Sequence, residues 1–466
     1  MYNKSMNQSM IRINISHLGF LNEASLDIGP LTIIAGKNNT GKTYLSYFLF
    51  ILFKSFSDLH ISTRDLNEKG QLEITKEFLI SKIQKMMPHI QRQLGRFFAS
   101  SPDLFKETTC SFELDGANLF KFLQDQSKKG KIEISFVDAK GKIVIWTESK
   151  GNKLIWTLAV DGQKAKSLAV LTTRIASASF FDMALQNMLS QWINPIAITS
   201  ERTGISLFYK ELDSTRSALV DLLVDKTLPS NKYQLWEQLD KSISKYALPI
   251  KTNISTIRDV GEYKNSSFLW KNKEQYGVLF KLWEQLINGQ FDITKDSISF
   301  SQDQGRIEVP LHLSSSASKS LFLFEIYLKY QATPTDFLLI DEPELNLHPE
   351  AQRIMARFLV QLVQAGIRVL ITTHSEIIIR EINNLIMLNR ILRNGKTVDE
   401  KIKCELDYYS GELLDPHYVS AYMTTSRHDL QKAEVNEYGL DMTSFEKFID
   451  HSNAISDKIM EILEDL

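Results

Sequence analysis

Gly36-Lys37-Asn38-Asn39-Thr40-Gly41-Lys42-Thr43 fits the pattern GxxxxGK[ST] at every fixed position. The apolar run Leu31-Thr32-Ile33-Ile34-Ala35 leads into it, and Tyr44 to Phe53 follows, long enough for a buried helix of about three turns. Strand, glycine loop and helix in that order aim successive backbone N–H groups inward and form a concave anion site. The spacing therefore predicts a P-loop in which residues 36–43 wrap nucleotide phosphates. Lys42 brings a mobile positive charge to the β- and γ-phosphates, and the Thr43 hydroxyl is placed to ligate Mg²⁺.

Outward from this stretch, Ile11, Ile13 and Ile15 alternate with polar residues, as do Ala24, Leu26 and Ile28. Two antiparallel strands joined through His17 to Asn22 are expected. Downstream, Ser57 to Gly70 is polar and reads as a loop, whereas Leu72 to Phe98 has helical spacing with Phe78, Ile80, Ile83, Met86 and Met87 on one face. Pro88 is expected to kink or divide that helix. Between Thr108 and Gly162 the pattern turns to strands, at 110–114, 132–136, 143–146 and 154–158, with turn signals at Asp115-Gly116, Lys140-Gly141 and Asp161-Gly162. This predicts an antiparallel subdomain. Ser167 to Trp192 is helical in composition, and Asn194 to Thr199 is a short strand. Residues 204–290 read as an inserted helical arm or lid without a sustained heptad.

The chemistry returns late in the chain. Phe337-Leu338-Leu339-Ile340-Asp341-Glu342 ends an apolar strand in two acids, and Val369-Leu370-Ile371-Thr372-Thr373-His374-Ser375 ends another in histidine. Pro349 to Gly366 has helical spacing between them, so the segment reads β-α-β, with both polar tips at the edge where the P-loop lies. An aspartate at that edge, Asp341, can hold Mg²⁺, and Glu342 can orient or deprotonate the attacking water. His374 is placed to hydrogen-bond the γ-phosphate or that water. Ser200-Glu201-Arg202 ends another strand, and two roles stay open for Arg202: facing nucleotide or partner, or a surface ion pair.

With 466 residues the chain exceeds the usual size of a single core, and 43% hydrophobic with 24% charged residues describes an ordinary globular protein. A net charge of −2 and a pI near 6.5 give no overall basic field, though a local basic groove stays open. Two cysteines far apart, Cys110 and Cys404, argue against a zinc site or a disulfide framework. Neither a signal-peptide core nor an apolar run near the ~20 residues of a membrane span is present, so a cytoplasmic protein is expected.

These motifs resemble those of ABC-type ATPases of the RecF, SMC and OLD group. The resemblance rests on Gly36 to Thr43 as Walker A, Phe337 to Glu342 as Walker B, Glu344-Leu345-Asn346-Leu347-His348-Pro349 as D-loop and His374 as switch histidine. It covers roughly residues 10–60 and 295–395. It implies an α/β, ABC-type P-loop ATPase head with an antiparallel β subdomain and an inserted helical region, using ATP and Mg²⁺. Catalytic roles then fall to Glu342, His374 and Lys42, and metal ligation to Thr43 and Asp341. Two such heads sandwich ATP, and Ser314 to Lys319 stand where the signature loop reaches the partner's γ-phosphate. Ser315 holds the place of the signature serine, with Ser316 and Ala317 where glycines are usual; the same serines also read as a helix cap.

The expected divisions are 1–60 and 291–395 as the two parts of the head, 61–192 as helix plus β subdomain, and 193–203 as a core strand. Residues 204–290 form the helical insertion and 396–466 a C-terminal helical tail, in which Asp407, Glu412, Asp415 and Asp429 read as solvated acids. The OLD-like stretch Asp341 to Pro349, without a following Toprim domain, resembles the ATPase subunit of two-component anti-phage systems such as PARIS or Septu. Implied partners are a second copy in a head-to-head dimer or higher homo-oligomer, and a separate nuclease. The alternative is a RecF-like DNA-repair or DNA-clamping ATPase.

Overall fold

The strand Leu31–Ala35 is buried at all five positions, which requires cover on both faces. The structure, a computed structural model, describes residues 11–56, 59–114, 116–128, 130–135, 142–161, 174–209, 246–264, 266–295, 297–302, 307–393, 406–409 and 411–440. In chain order, the hairpin β1 (Ile11–Leu18) and β2 (Leu21–Ile28) leads into β3 (Leu31–Ala35) and helix α1 (Lys42–Ser55). Next come β4 (Leu72–Ile74), α2 (Lys76–Phe97), β5 (Thr109–Leu114), α3 (Gly116–Ser127), β6 (Lys131–Ser135), β7 (Lys142–Lys150), β8 (Lys153–Asp161), α4 (Arg174–Trp192) and β9 (Asn194–Ile198). Helices α5 (Leu248–Arg258), α6 (Phe268–Lys271) and α7 (Gly277–Ile287) precede strands β10 (Gln290–Ile293), β11 (Ile298–Gln302) and β12 (Ile307–Pro310). The remainder is α8 (Ser316–Ile326), β13 (Asp336–Asp341), α9 (Pro349–Gln364), β14 (Arg368–Thr373), α10 (Glu376–Arg393), β15 (Val419–Thr424) and β16 (Leu430–Ala433).

The main sheet runs β16-β15-β3-β14-β13-β9, with the five strands from β15 to β9 parallel and β16 antiparallel at one edge. Alternation along each strand divides its side chains between two cores. Ile33, Leu338, Ile340, Val369 and Ile371 join one with α7 and α9; Ile34, Phe337, Leu339 and Leu370 join the other with α1 and α4. Parallel order brings the carboxyl ends of β3, β13, β14 and β9 to a common edge, where the P-loop, Asp341, His374 and Ser200 follow them.

Several sequence expectations change. Leu72–Ile74 is a strand paired with β8, and the helix starts after Thr75, whose hydroxyl caps Phe78 N–H at 3.1 Å. Pro88 lies inside a continuous α2. β5 leaves the subdomain and pairs with β1 in a sheet ordered β2-β1-β5, while the four-stranded subdomain sheet is β4-β8-β7-β6. Gly116 begins a helix instead of ending a turn. Described residues of the helical insertion pack into the head: Ile257, Leu279, Phe280, Leu282 and Trp283 are buried against α9 and its neighbours.

The tail differs most. Residues 419–433 form β15 and β16 and extend the main sheet, because β15 completes the backbone hydrogen bonds of β3. Glu412 is not solvated: it is 1% exposed and takes a fork from Arg357, Nε to Oε1 at 3.0 Å and Nη2 to Oε2 at 2.7 Å. Residues 441–466 of the expected helical tail lie outside the described residues.

Candidate active site

The P-loop needs its glycines for two separate reasons. Gly36 has φ 143°, and a Cβ there would stand 2.0 Å from Thr424 Oγ1 at the end of β15. Gly41 has φ 92° at the start of α1, and its added Cβ would press on Leu21 of the hairpin at 3.2 Å. Between them Thr40 Oγ1 donates to Lys37 O at 2.8 Å and lies 2.7 Å from Thr424 Oγ1. Lys37, Asn38 and Asn39 are exposed at the tip, with Asn39 at φ 62°.

Lys42 is buried, and its ammonium donates to Gly36 O at 2.9 Å and Lys37 O at 2.6 Å. Burial lowers its pKa from the usual lysine range, opposed by the charges of Glu342, Asp341 and Glu344. Thr43 Oγ1 donates to Asp341 Oδ2 at 2.9 Å, and Thr372 Oγ1 donates to Asp341 Oδ1. Asp341 is 2% exposed, and burial raises its pKa while both hydroxyl donors oppose the rise. The Thr43 hydroxyl and the Asp341 carboxylate are hard oxygen donors in contact. They fit Mg²⁺, whose charge would relieve the cost of burying that carboxylate.

Glu342 lies just past β13 with φ 50°, its N–H donating to Thr372 O at 3.0 Å. Its Oε1 is 3.6 Å from His374 Nδ1. Glu344 is buried and accepts from Thr373 Oγ1 and from His374 N–H, both at 2.8 Å; its Oε1 is also 3.4 Å from His374 Nδ1. Its Oε2 is buried without a hydrogen-bond partner. Glu342 and Glu344 thus flank the half-exposed His374 ring. In the sequence Glu344 counts only as the first D-loop residue; the acid two places beyond Glu342 is the signal that could have found it.

Arg202 takes neither expected role. It is 1% exposed and bonds backbone carbonyls, those of Asp341 and Glu342 among them. No residue-type pattern announces such partners. Ser315 is exposed and caps α8, accepting from Ser318 N–H at 3.0 Å. Its hydroxyl bonds to Ser318, its carbonyl accepts from Lys319 N–H at 3.0 Å, and the structure does not join it to Lys42, Asp341 or His374 of its own chain. Thr424 carries no site signal in the sequence, which places it in an expected helical tail and not on β15.

The parallel order around β3, β14 and β13, with a P-loop and paired acids at one edge, is an α/β P-loop arrangement. No helix among the described residues is long and apolar enough to cross a membrane. Solved structures similar to this chain include an Smc head domain with an extended coiled coil bound to the C-terminal domain of ScpA, derived from Pyrococcus furiosus. The match has 12% identity and a TM-score of 0.30, covering 80% of this chain and 92% of that one. The SMC head domain from Thermotoga maritima matches at 10% identity and a TM-score of 0.28, covering 92% and 99%. A comparison with curated proteins gives no match. The profile of the AAA ATPase domain family, AAA_15, matches residues 10–379, which is most of the chain, and the protein belongs to that family.

Proposed function

We propose that the protein binds ATP with Mg²⁺ and hydrolyses it, and that this cycle controls a separate nuclease in bacterial anti-phage defence. The observation that carries hydrolysis is the convergence of Lys42, Thr43, Asp341, Glu342 and His374 at one edge of the main sheet. Residues 36–43 hold the phosphates, and Lys42 moves from the loop carbonyls to the β- and γ-oxygens. Thr43 and Asp341 would hold Mg²⁺, which would supply charge neutralisation at the phosphates. Glu342 orients the attacking water and takes its proton, and His374 hydrogen-bonds the terminal phosphate or that water. Glu344 fixes the histidine backbone beside Glu342.

Head-to-head pairing is supported by the exposure of Ser315 at the start of α8, next to Leu313, which is 67% exposed. Ser315 would complete the site of a second copy. Control of an effector rests on the resemblance of the Asp341 to Pro349 stretch to OLD-like ATPase subunits, and a cytoplasmic setting goes with it. Nucleotide drives such a switch only if its two states bind nucleotide or partner differently.

Co-purification from the native operon, with the wild type and with Glu342→Gln, tests the proposal. A nuclease whose recovery depends on nucleotide state is expected. Recovery of no partner in either form, together with strong stimulation of ATP hydrolysis by duplex DNA, would contradict effector control and favour a RecF-like DNA-clamping ATPase.

A further inference from the structure

All three guanidinium nitrogens of Arg202 donate to backbone carbonyls. Nε reaches Ser320 O at 3.0 Å, Nη1 reaches Thr199 O at 3.1 Å and Asp341 O at 2.8 Å, and Nη2 reaches Glu342 O at 2.6 Å. Four carbonyls from three separate segments therefore converge on one cation: the end of β9, the turn leaving β13, and the body of α8. A buried arginine ordinarily pairs with a carboxylate. Here the carboxylates of Asp341, Glu344, Glu342 and Glu201 act on it only through space, offsetting a cost of burial that brings its pKa to about 10 and leaves it cationic at neutral pH. Neutral acceptors have a consequence for the site: the Glu342 side chain stays turned toward His374 instead of being drawn inward onto the guanidinium.

The turn that is gripped keeps its own backbone bonds, Glu342 N–H to Thr372 O and Leu345 N–H to Glu342 O, both at 3.0 Å, and it also holds two residues in strained backbone conformations. Glu342 has φ 50°, and Asn346 four residues later has φ 61°, both conformations that residues with a side chain rarely adopt. The helix that opens at Arg202, residues 202–209, fastens both. Thr203 Oγ1 accepts from Asn346 Nδ2 at 2.9 Å. Ser206 Oγ donates to Lys319 O at 3.0 Å, next to the Ser320 carbonyl that Arg202 holds. Glu201, just before it, accepts from the hydroxyl of Tyr47 in α1 at 2.6 Å. A single short segment thus joins the P-loop helix, the Glu342 turn, the loop at Asn346, and the α8 turn that follows Ser315.

We propose that Arg202 is a positioning residue for ATP hydrolysis, holding the Glu342 turn in its left-handed conformation and tying it to α8, so that displacement of the Ser315 end of α8 is transmitted to Glu342. This rests on the hydrolysis reading above. Removing the planar fork takes one charged donor from each of the two carbonyls, lets the turn relax, and misplaces the Glu342 carboxylate, whereas the phosphate-binding loop keeps its own contacts. Turnover and affinity therefore separate.

The test compares wild type, Arg202→Gln and Arg202→Lys in the full chain, measuring the Kd for ATP in EDTA, kcat with Mg²⁺, and the urea midpoint. A misplacement of about 1 Å at the reacting groups costs roughly 10²-fold in rate, so kcat is expected to fall by about that factor while Kd changes less than about threefold. Arg202→Lys, which keeps the charge and loses the fork, is expected to resemble Arg202→Gln; recovery to the wild-type rate would overturn the carbonyl-grip argument. A folded Arg202→Gln with unchanged kcat, or with Kd and kcat lost in parallel, would also overturn it. Where neither Arg202 variant folds, Ser206→Ala cuts one neighbouring tie worth a single hydrogen bond. Its kcat should fall about fivefold at constant Kd, and an unchanged kcat overturns the proposal. A wild type that does not turn over ATP would strike the hydrolysis reading itself, a result distinct from an active wild type with equally active variants.

Discussion

Replacing Gly36 by alanine should destabilise the protein by about 2–6 kcal/mol, from two effects of similar size. The first is the backbone: φ 143° is strained for any residue with a Cβ, at about 1–3 kcal/mol. The second is steric. The new Cβ would lie 2.0 Å from Thr424 Oγ1, 3.2 Å from Thr424 Cβ and 3.3 Å from its backbone nitrogen, an overpacking of about 1–3 kcal/mol. Thr424 cannot yield freely, since its Oγ1 lies 2.7 Å from Thr40 Oγ1 and 3.4 Å from Ala35 O. Thr424→Ala alone loses those contacts, about 1 kcal/mol. In the double variant the oxygen clash is gone and the backbone strain remains, so the two changes should couple favourably by about 1–3 kcal/mol. Urea unfolding of the four proteins, followed by tryptophan fluorescence and extrapolated linearly, measures the coupling. Additivity within about 0.5 kcal/mol would refute the docking of β15 on the P-loop.

Glu412→Gln leaves the buried Arg357 guanidinium without its counter-charge and should cost about 3–5 kcal/mol in the same assay; a loss below about 1 kcal/mol would contradict the buried pair. In a Cys404→Ser background, Cys110 should resist iodoacetamide at pH 8, because burial pushes its thiol up to about 12 and about one in ten thousand is ionised. The folded value lies above the ordinary 9.0, so the stability tied to the protonated thiol is full below pH 9 and is lost as pH rises toward 12; alkylation as fast in native protein as in urea would refute this. Mixing Lys42→Ala with Ser315→Arg subunits should restore some ATP hydrolysis at one composite site, and mixed dimers without recovery would point to a site contained in one chain.

Much of the fold was legible where function restricts residue type over a short span. The P-loop, the acids at the end of β13 and the histidine after β14 each carry their signal within about ten residues, and the apolar strands before them need only cover on both faces. What escaped was non-local. β5 joins β1 across about a hundred residues and β15 joins β3 across nearly four hundred, and nothing in either strand names its partner. Glu412 looked solvated because Arg357 lies 55 residues away in the chain. Leu72–Ile74 continues the apolar spacing of the helix beyond Thr75, so periodicity alone could not separate them. Arg202 was hidden for a different reason: its partners are main-chain oxygens, which every residue possesses.

The proposed function places Lys42, Asp341, Glu342 and His374 in one site for ATP hydrolysis. Paired measurements of ATP affinity and turnover for wild type, Lys42→Ala and Glu342→Gln test it most directly. Lys42→Ala should weaken ATP binding, whereas Glu342→Gln should keep ATP and lose turnover by about 10²–10⁴-fold, the range for removal of a general base. Turnover of ATP by Glu342→Gln at the wild-type rate would rule out Glu342 as the group that activates the attacking water.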